Sequence, residues 1–169
     1  GKLENLAPDE SIYSARFIGD RAYLVTFRRI DPPFVIDLSD PANPKVLGQL
    51  KIPGFSDYLH PYDETHLIGV GREVQDFGGF VEPVGVKLGL FDVSDPNNPK
   101  EIAKYTIGDF GTDSEALRDH KAFLFSKEKN LLVIPVLLVE NPLKDFGVRP
   151  FTWQGAYIFN INISTDGGF

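Results

Sequence analysis

Val35-Ile36-Asp37-Leu38-Ser39-Asp40-Pro41-Ala42-Asn43-Pro44-Lys45 returns 55 residues later as Leu90-Phe91-Asp92-Val93-Ser94-Asp95-Pro96-Asn97-Asn98-Pro99-Lys100. Both copies read D-x-S-D-P-x-N-P-K. A degenerate third copy is Ile158-Phe159-Asn160-Ile161-Asn162-Ile163-Ser164. Each copy opens as a β-rich run and enters a turn of Asp, Ser and Pro. The Asp and Ser side chains can accept from backbone N–H groups just ahead, and Pro fixes φ and removes a ladder donor, so the strand stops. After the second Pro a new strand begins, at Lys45–Ile52 and at Lys100–Ile107. The motif is therefore the hairpin loop between neighbouring strands.

The segments upstream repeat as well. Tyr13–Ile18, a turn at Gly19-Asp20 and Arg21–Arg28 read as a hairpin. Asp57–His60 with His66–Arg72 is its second copy, and Lys121–Phe125 with Leu131–Val139 is its third. Pro135 within the last strand is expected to bulge it. Adding Phe34–Leu38 with Lys45–Ile52, and Val86–Val93 with Lys100–Ile107, completes two units of strands a, b, c and d. The third unit ends with strand c at Ala156–Ile163 and has no d strand. Ser114–Arg118 reads either as a capped turn of helix or as an irregular lead into that unit. Four-strand units recurring at this period predict an all-β partial propeller of about three antiparallel blades. They fall at about 11–53, 55–108 and 114–164, the last lacking its outer strand.

Composition narrows the function. The chain has 169 residues, a net charge of −7, no Cys and no Met. Disulfides, thiolate metal sites and Cys nucleophiles are excluded. The acidic balance argues against nucleic acid and anionic membrane as partners. The longest apolar run, Leu131–Val139, is strand-sized, so no membrane insertion is expected. The missing initiator Met, and a C-terminus that stops in a turn, suggest a processed or subcloned piece of a longer protein.

Propeller geometry places the a–b and c–d loops at one end of the blades and the b–c and d–a loops at the other, where ligands usually bind. The D-x-S-D-P loops fall at the a–b/c–d end and read as architecture. Calcium at Asp37, Asp40, Asp92 and Asp95 is the weaker reading, because a bidentate Glu and a central Gly are missing. The b–c segments Glu73–Gly85 and Glu140–Gly155 read as long insertions, each with an Asp-Phe-Gly triplet; Asp109-Phe110-Gly111 is a third, in a d–a connection. Phe77, Phe80, Phe146, Phe151 and Trp153 are the candidate partner-binding residues, either exposed as anchors or folded back as small cores. His60, His66 and His120 form a zinc site only if the ring brings them together; otherwise His60 and His120 satisfy backbone groups at blade starts. No G-x-S-x-G and no triad pattern is present, so catalytic and cofactor-binding residues are not assigned.

Ile12–Phe27 (IYSARFIGDRAYLVTF), Phe34–Lys45 (FVIDLSDPANPK), Tyr58–Gly71 (YLHPYDETHLIGVG) and Asp119–Phe125 (DHKAFLF) resemble an archaeal and bacterial family of secreted proteins. Its members carry a C-terminal β-propeller distantly related to WD-type repeats. The Val35–Pro41 pattern is also similar to LVIVD-type repeats of surface proteins. The resemblance spans Leu3–Ile163 and implies a secreted or cell-surface location and a propeller continuing past Phe169. The expected function is a protein- or glycan-interaction scaffold acting through the b–c/d–a end. The alternative is part of a polysaccharide- or peptide-acting hydrolase or lyase, completed by missing blades. Open strand edges at both ends of the arc are expected to drive self-association, two arcs closing into a pseudo-ring or strand c of the third blade pairing with a second copy.

Overall fold

The computed structural model describes residues 1–27, 33–51, 53–78, 81–140, 151–164 and 168–169. Blade one is a four-stranded antiparallel sheet of β1 (Ser11–Ile18), β2 (Arg21–Phe27), β3 (Pro33–Asp37) and β4 (Lys45–Gln49), in sequence order. Blade two repeats it with β5 (Phe55–Pro61), β6 (His66–Asp76), β7 (Val81–Asp92) and β8 (Lys100–Ile107). Blade three is a three-stranded sheet of β9 (Leu124–Ser126), β10 (Leu131–Glu140) and β11 (Phe151–Asn160). The chain is thus an all-β partial propeller. Its innermost strands β1 and β5 lie side by side, so the faces of the sheets stack around a common axis.

The hairpin loops work as their residues require. Asp37 Oδ1 accepts from Ser39 N at 2.9 Å, and Asp92 Oδ1 accepts from Ser94 N at the same distance. In the degenerate copy Asn162 Oδ1 accepts from Ser164 N at 2.9 Å. One further backbone bond recurs in all three blades: Leu38 N donates to Asp20 O at 2.7 Å, Val93 N to Thr65 O at 2.8 Å, and Ile161 N to Asn130 O at 2.7 Å. It ties the end of strand c to the a–b turn.

Blade two is buried on both faces. Val86, Leu88 and Leu90 of β7 pack with Leu132, Ile134, Val136, Leu138 and Phe159 of blade three. Phe91 on the opposite face packs with Tyr23, Val25 and Val35 of blade one. Its ring lies over two cross-strand glycines, Gly69 and Gly89. A Cβ at Gly89 would stand 2.7 Å from Phe91 Cζ, and one at Gly69 2.8 Å from Phe91 Cε2. Side chains at these positions would evict the ring from the interface between the blades.

The two outward faces of the arc differ. Ala22, Phe34 and Ile36 of blade one are covered by Leu3, Leu6 and Ala7 of the N-terminal segment. On blade three Leu124, Leu137 and Ile158 stay exposed, Ile158 by 68%. The arc therefore presents a bare sheet face at blade three, and the N-terminal segment shields the face at blade one.

Strands β6, β7, β9, β10 and β11 differ from expectation. β9 starts at Leu124 instead of Lys121, because Asp119 caps a 3-10 turn over His120–Ala122. β6 and β7 continue as a paired ribbon through Val74↔Pro83 to Asp76↔Val81, and β11 starts at Phe151. Glu73–Asp76 and Val81–Gly85 of the first expected insertion are thus strand, as are Glu140 and Phe151–Gly155 of the second, whose residues 141–150 lie outside the described residues. Pro135 causes no bulge: β10 and β11 stay in register through Pro135↔Ala156. Leu137, two residues on, turns its N–H and C=O to Asp113, away from β11. Pro135 faces the same way, where β9 has ended, so its missing N–H costs no ladder bond.

One charged pair is buried between blades one and two. Lys87 Nζ, on a side chain 4% exposed, lies 2.7 Å from Glu101 Oε1 and donates to Pro53 O at 2.9 Å. Glu101 Oε1 has no aligned hydrogen bond, so the contact is ionic. Lys87→Met, which strands the Glu101 charge, is expected to lower stability by about 3 kcal/mol, and Lys87→Met/Glu101→Leu to recover most of it. Urea unfolding of the two variants measures both effects.

Candidate functional site

The two complete blades carry the same irregularity in strand a. The register of β1 against β2 slips between Ile12 and Ser14, and that of β5 against β6 between Ser56 and Tyr58. The extra residues are Tyr13 and Asp57. A bulge bends the strand and re-aims its side chain. In blade one the Tyr13 ring packs on Phe55 at 4.8 Å. In blade two the bulge puts a carboxyl group into a cleft of about 370 Å³. Arg16, Asp57, Tyr58, Ala116, Leu117, Arg118 and His120 line it. These residues come from the inner strands of blades one and two and from the d–a connection that leads to blade three.

That connection is built as a pair of single 3-10 turns. Ser114 caps the first, its Oγ accepting from Ala116 N at 3.2 Å and donating to Pro135 O at 2.6 Å. Asp119 caps the second, accepting from Lys121 N. Of the two readings open for Ser114–Arg118, the capped turn is the one observed.

A guanidinium–carboxylate network fixes the cleft wall. Arg118 Nη1 and Nη2 donate to the two carboxylate oxygens of Asp113 at 3.0 and 2.7 Å, and Nη2 also reaches Glu115 Oε2 at 3.1 Å. From β6, Arg72 Nη2 donates to Asp113 Oδ1 at 2.6 Å and Nη1 to Thr112 O at 2.7 Å. The Arg118 hydrogen bonds, with help from Arg72, hold the Asp113 carboxyl below the usual aspartate range against its partial burial. Asp57 is the opposite case. Burial pushes it up to about 6, against the pull of Arg72 and Arg118 and with the push of Asp113. Asp57 has no hydrogen-bond or ion-pair partner among the described residues.

Arg16 is half-buried and reaches over the Tyr58 ring, 5.8 Å from its centroid. Tyr58 Oη shares a 3.0 Å hydrogen bond with His60 Nδ1. His60 also packs on Phe123 and Phe125, at 4.9 and 5.1 Å between centroids. Burial and then the Arg16 charge lower it to about 4, so it is neutral at pH 7.

The histidines do not come together. His60 partners a tyrosine and two rings in place of the backbone groups expected for it. His66 pairs with Asp63 at 2.9 Å, and His120 stands exposed beside Asp119. No group of three or more His, Asp or Glu converges among the described residues. In the c–d loops Asp40 accepts from Ala42 N and Asn43 Nδ2, and Asp95 from Asn97 N, so these oxygens serve their own turns. A larger groove of about 610 Å³ runs over that end of blades one and two; of its two aspartates, Asp37 bonds Ser39 N in its own turn and Asp20 accepts from Leu38 N through its backbone carbonyl.

Of the candidate aromatics, Phe80 and Phe146 lie outside the described residues, as does the side chain of Phe151, whose backbone opens β11. Phe77 is 46% exposed beyond the end of β6. Trp153 is 41% exposed and sits on β11, not in a loop. Its ring covers Gly155, where a Cβ would stand 2.2 Å from Cζ2, and packs on Tyr157 at 5.8 Å. Phe110 was singled out only as part of a triplet; it is 62% exposed in the d–a connection. Phe77, Phe110 and Trp153 all stand at the b–c/d–a end. The cleft itself had no sequence signal, because it depends on a strand bulge and on residues from three separate segments.

Stacked four-stranded blades with a polar cleft beside their inner strands define a β-propeller segment. A family model for the beta propeller domain matches residues 1–167, and the chain belongs to that family. It is 47% identical over 135 residues to an uncharacterised protein of Archaeoglobus fulgidus. It is similar to the same extent to an uncharacterised protein of Methanocaldococcus jannaschii. Each match covers 80% of this chain and 20% of the relative, so the chain spans about one fifth of the length of these proteins.

Asp57 and His60 have opposite effects on stability over one pH range. Asp57 binds its proton more tightly when folded, so it adds stability as pH falls from about 6 toward 3.8. His60 binds its proton less tightly when folded, so it removes stability as pH falls from 6.5 toward about 4. The unmodified protein should keep a nearly flat Tm across this window. Asp57→Asn should make Tm fall with acidification, and His60→Gln should make it rise. Thermal melts of the three proteins between those pH values check the signs.

Proposed function

We propose that this chain is a recognition segment of a secreted or surface-displayed β-propeller, holding a protein or glycan partner at the b–c/d–a end of its blades. The observation that carries this reading is the placement of Phe77, Phe110 and Trp153, each more than 40% exposed, at that one end. Aromatic rings supply large contact area with few rotatable bonds, one here on strand β11 and two in the b–c and d–a connections. The adjoining cleft offers charged groups to orient a partner. A glycan array and a pull-down with the intact chain should return a partner. Phe110→Ala and Trp153→Ala should each weaken it about tenfold or more with the fold unchanged by circular dichroism. Binding that is indifferent to both substitutions argues against this face.

Hydrolysis is the second reading, and one observation favours it. Asp57 is raised, chiefly by burial and with a push from the Asp113 charge, while Asp113 is lowered, chiefly by Arg118, which leaves two carboxyl groups in different ranges, as in an acid and carboxylate pair. Against it stands the commitment of Asp113 to two guanidinium groups. Turnover of oligosaccharides or peptides that Asp57→Asn abolishes would establish the enzyme; partner binding without turnover leaves the scaffold.

The bare face of blade three belongs to the same proposal. Leu124, Leu137 and Ile158 form an apolar sheet surface of the kind that packs on another sheet. Self-association then runs through this face, not through closure of two arcs, because Leu3, Leu6 and Ala7 already cover the other end. Light scattering of the isolated chain should show mass rising with concentration, and Ile158→Glu should return it to a monomer.

A further inference from the structure

We propose that the cleft between the inner strands is a subsite for a sugar acid, with Arg16 taking the carboxylate and Asp57 the ring hydroxyls. This rests on the scaffold reading above and names the ligand class for its cleft. Two half-buried groups of opposite charge line one small cleft, and neither has an ionic or hydrogen-bonding protein partner among the described residues. They do not neutralise each other either. The charges felt by Asp57 are those of Arg72, Arg118 and Asp113, whereas Arg16 is felt by His60. Among the described residues the cleft therefore offers a guanidinium whose one contact is the Tyr58 ring face and a carboxyl group without an ionic or hydrogen-bonding partner. Polar groups left this way in a folded chain call for an explanation, and a bound partner supplies one.

The partner must satisfy both groups at once. A guanidinium presents a planar fork that matches a carboxylate. A carboxyl group near its titration point both donates and accepts, which suits hydroxyls. The same cleft is lined by Tyr58, Ala116 and Leu117, apolar surface against which the C–H face of a pyranose can rest. Arg118 adds to the polar rim: three of its hydrogens are spent on Asp113 and Glu115, leaving its Nε–H and one Nη1 hydrogen uncommitted. An apolar peptide side chain would leave both charges unpaired. An acidic side chain would serve Arg16 and bring no row of hydroxyls to Asp57. A hexuronate carries carboxylate, hydroxyls and an apolar ring face on one rigid ring. The d–a connection that carries Phe110 also supplies Ala116, Leu117, Arg118 and His120 to the cleft, so a longer acidic chain can follow that connection toward Phe110.

The test is isothermal titration of the intact chain with hexagalacturonate, with maltohexaose as neutral control and hexaglutamate as acidic peptide control. The expected result is binding of hexagalacturonate about tenfold or more tighter than of either control. Arg16→Gln should bring hexagalacturonate down to the maltohexaose level, with Arg16→Lys in between because it keeps the charge and loses the fork. Asp57→Ala should weaken both sugars alike. Unchanged circular dichroism and Tm in Arg16→Lys guard against a folding defect. The proposal is overturned if hexagalacturonate does not bind at millimolar concentration, if Arg16→Gln leaves its affinity unchanged, or if hexaglutamate binds as tightly. A partner from the array that is lost in Trp153→Ala and retained in Arg16→Gln rejects the sugar-acid subsite and leaves the scaffold standing. Failure to find any partner by array or pull-down rejects both.

Discussion

A single four-stranded sheet of this length has two apolar faces and cannot bury either alone. That constraint organises the molecule. Blade two meets it fully: Ile68, Val70, Val86, Leu88 and Leu90 are wholly buried against blade three, and Leu67, Phe91 and Val93 against blade one. At about 25 cal/mol per Å² of apolar surface, stacking of such faces supplies the main driving force, and it is the reason repeats of this kind come in series. On the outward face of blade one, Leu3, Leu6 and Ala7 pack over the apolar residues, and on blade three Leu124, Leu137 and Ile158 are exposed.

Burial on both sides restricts where polar groups can stand. Between the blades every charge must be paired, as Lys87 is with Glu101 and the Pro53 carbonyl. Only the two ends of the blades and the strands nearest the axis escape this rule. The polar network of Asp113, Glu115 and Arg118 accordingly sits on the d–a connection, joined by Arg72 from β6. Asp57 sits where a bulge interrupts the inner strand. Chemistry collects there because the stacked faces exclude it elsewhere.

The sequence was most legible where local chemistry decides the structure. The Asp side chains of the D-x-S-D-P loops bond the N–H groups two residues ahead, as residue types and spacing require, and strand β8 runs from Lys100 to Ile107 as read. It was less legible where pairing decides. Glu73–Gly85 is rich in Gly, with Pro83 and Phe77, and reads as a loop. Yet Val74, Gln75 and Asp76 find partners across the ribbon once Val81, Glu82 and Pro83 lie opposite. Each strand of a two-stranded ribbon has an unpaired side, where Pro is tolerated. Trp153 was misplaced for the same reason. Its β-forming neighbours Thr152 and Phe151 pair with Val139 and Glu140 across a connection that has no strand signal of its own.

The candidate site was legible only in pieces, as His60, His120 and the Ser114–Arg118 turn, and the cause is specific. Ladder register puts Tyr13 and Asp57 at corresponding bulge positions, and Arg16 and His60 at corresponding positions three residues on. The repeat thus fixes a frame, and the bulge releases one residue per inner strand from the alternation that packing enforces. Blade one spends that freedom on an aromatic contact to Phe55, blade two on a carboxyl group that has no hydrogen-bond or ion-pair partner among the described residues. A search for repeated motifs finds the positions that cannot vary, such as the turn aspartates. The groups able to bind something lie where the two copies differ, and the frame has to be known before the difference can be read. Asp57 stands out from other acidic residues of the chain only after its register against Gly71 and Val70 shows that the strand slips there.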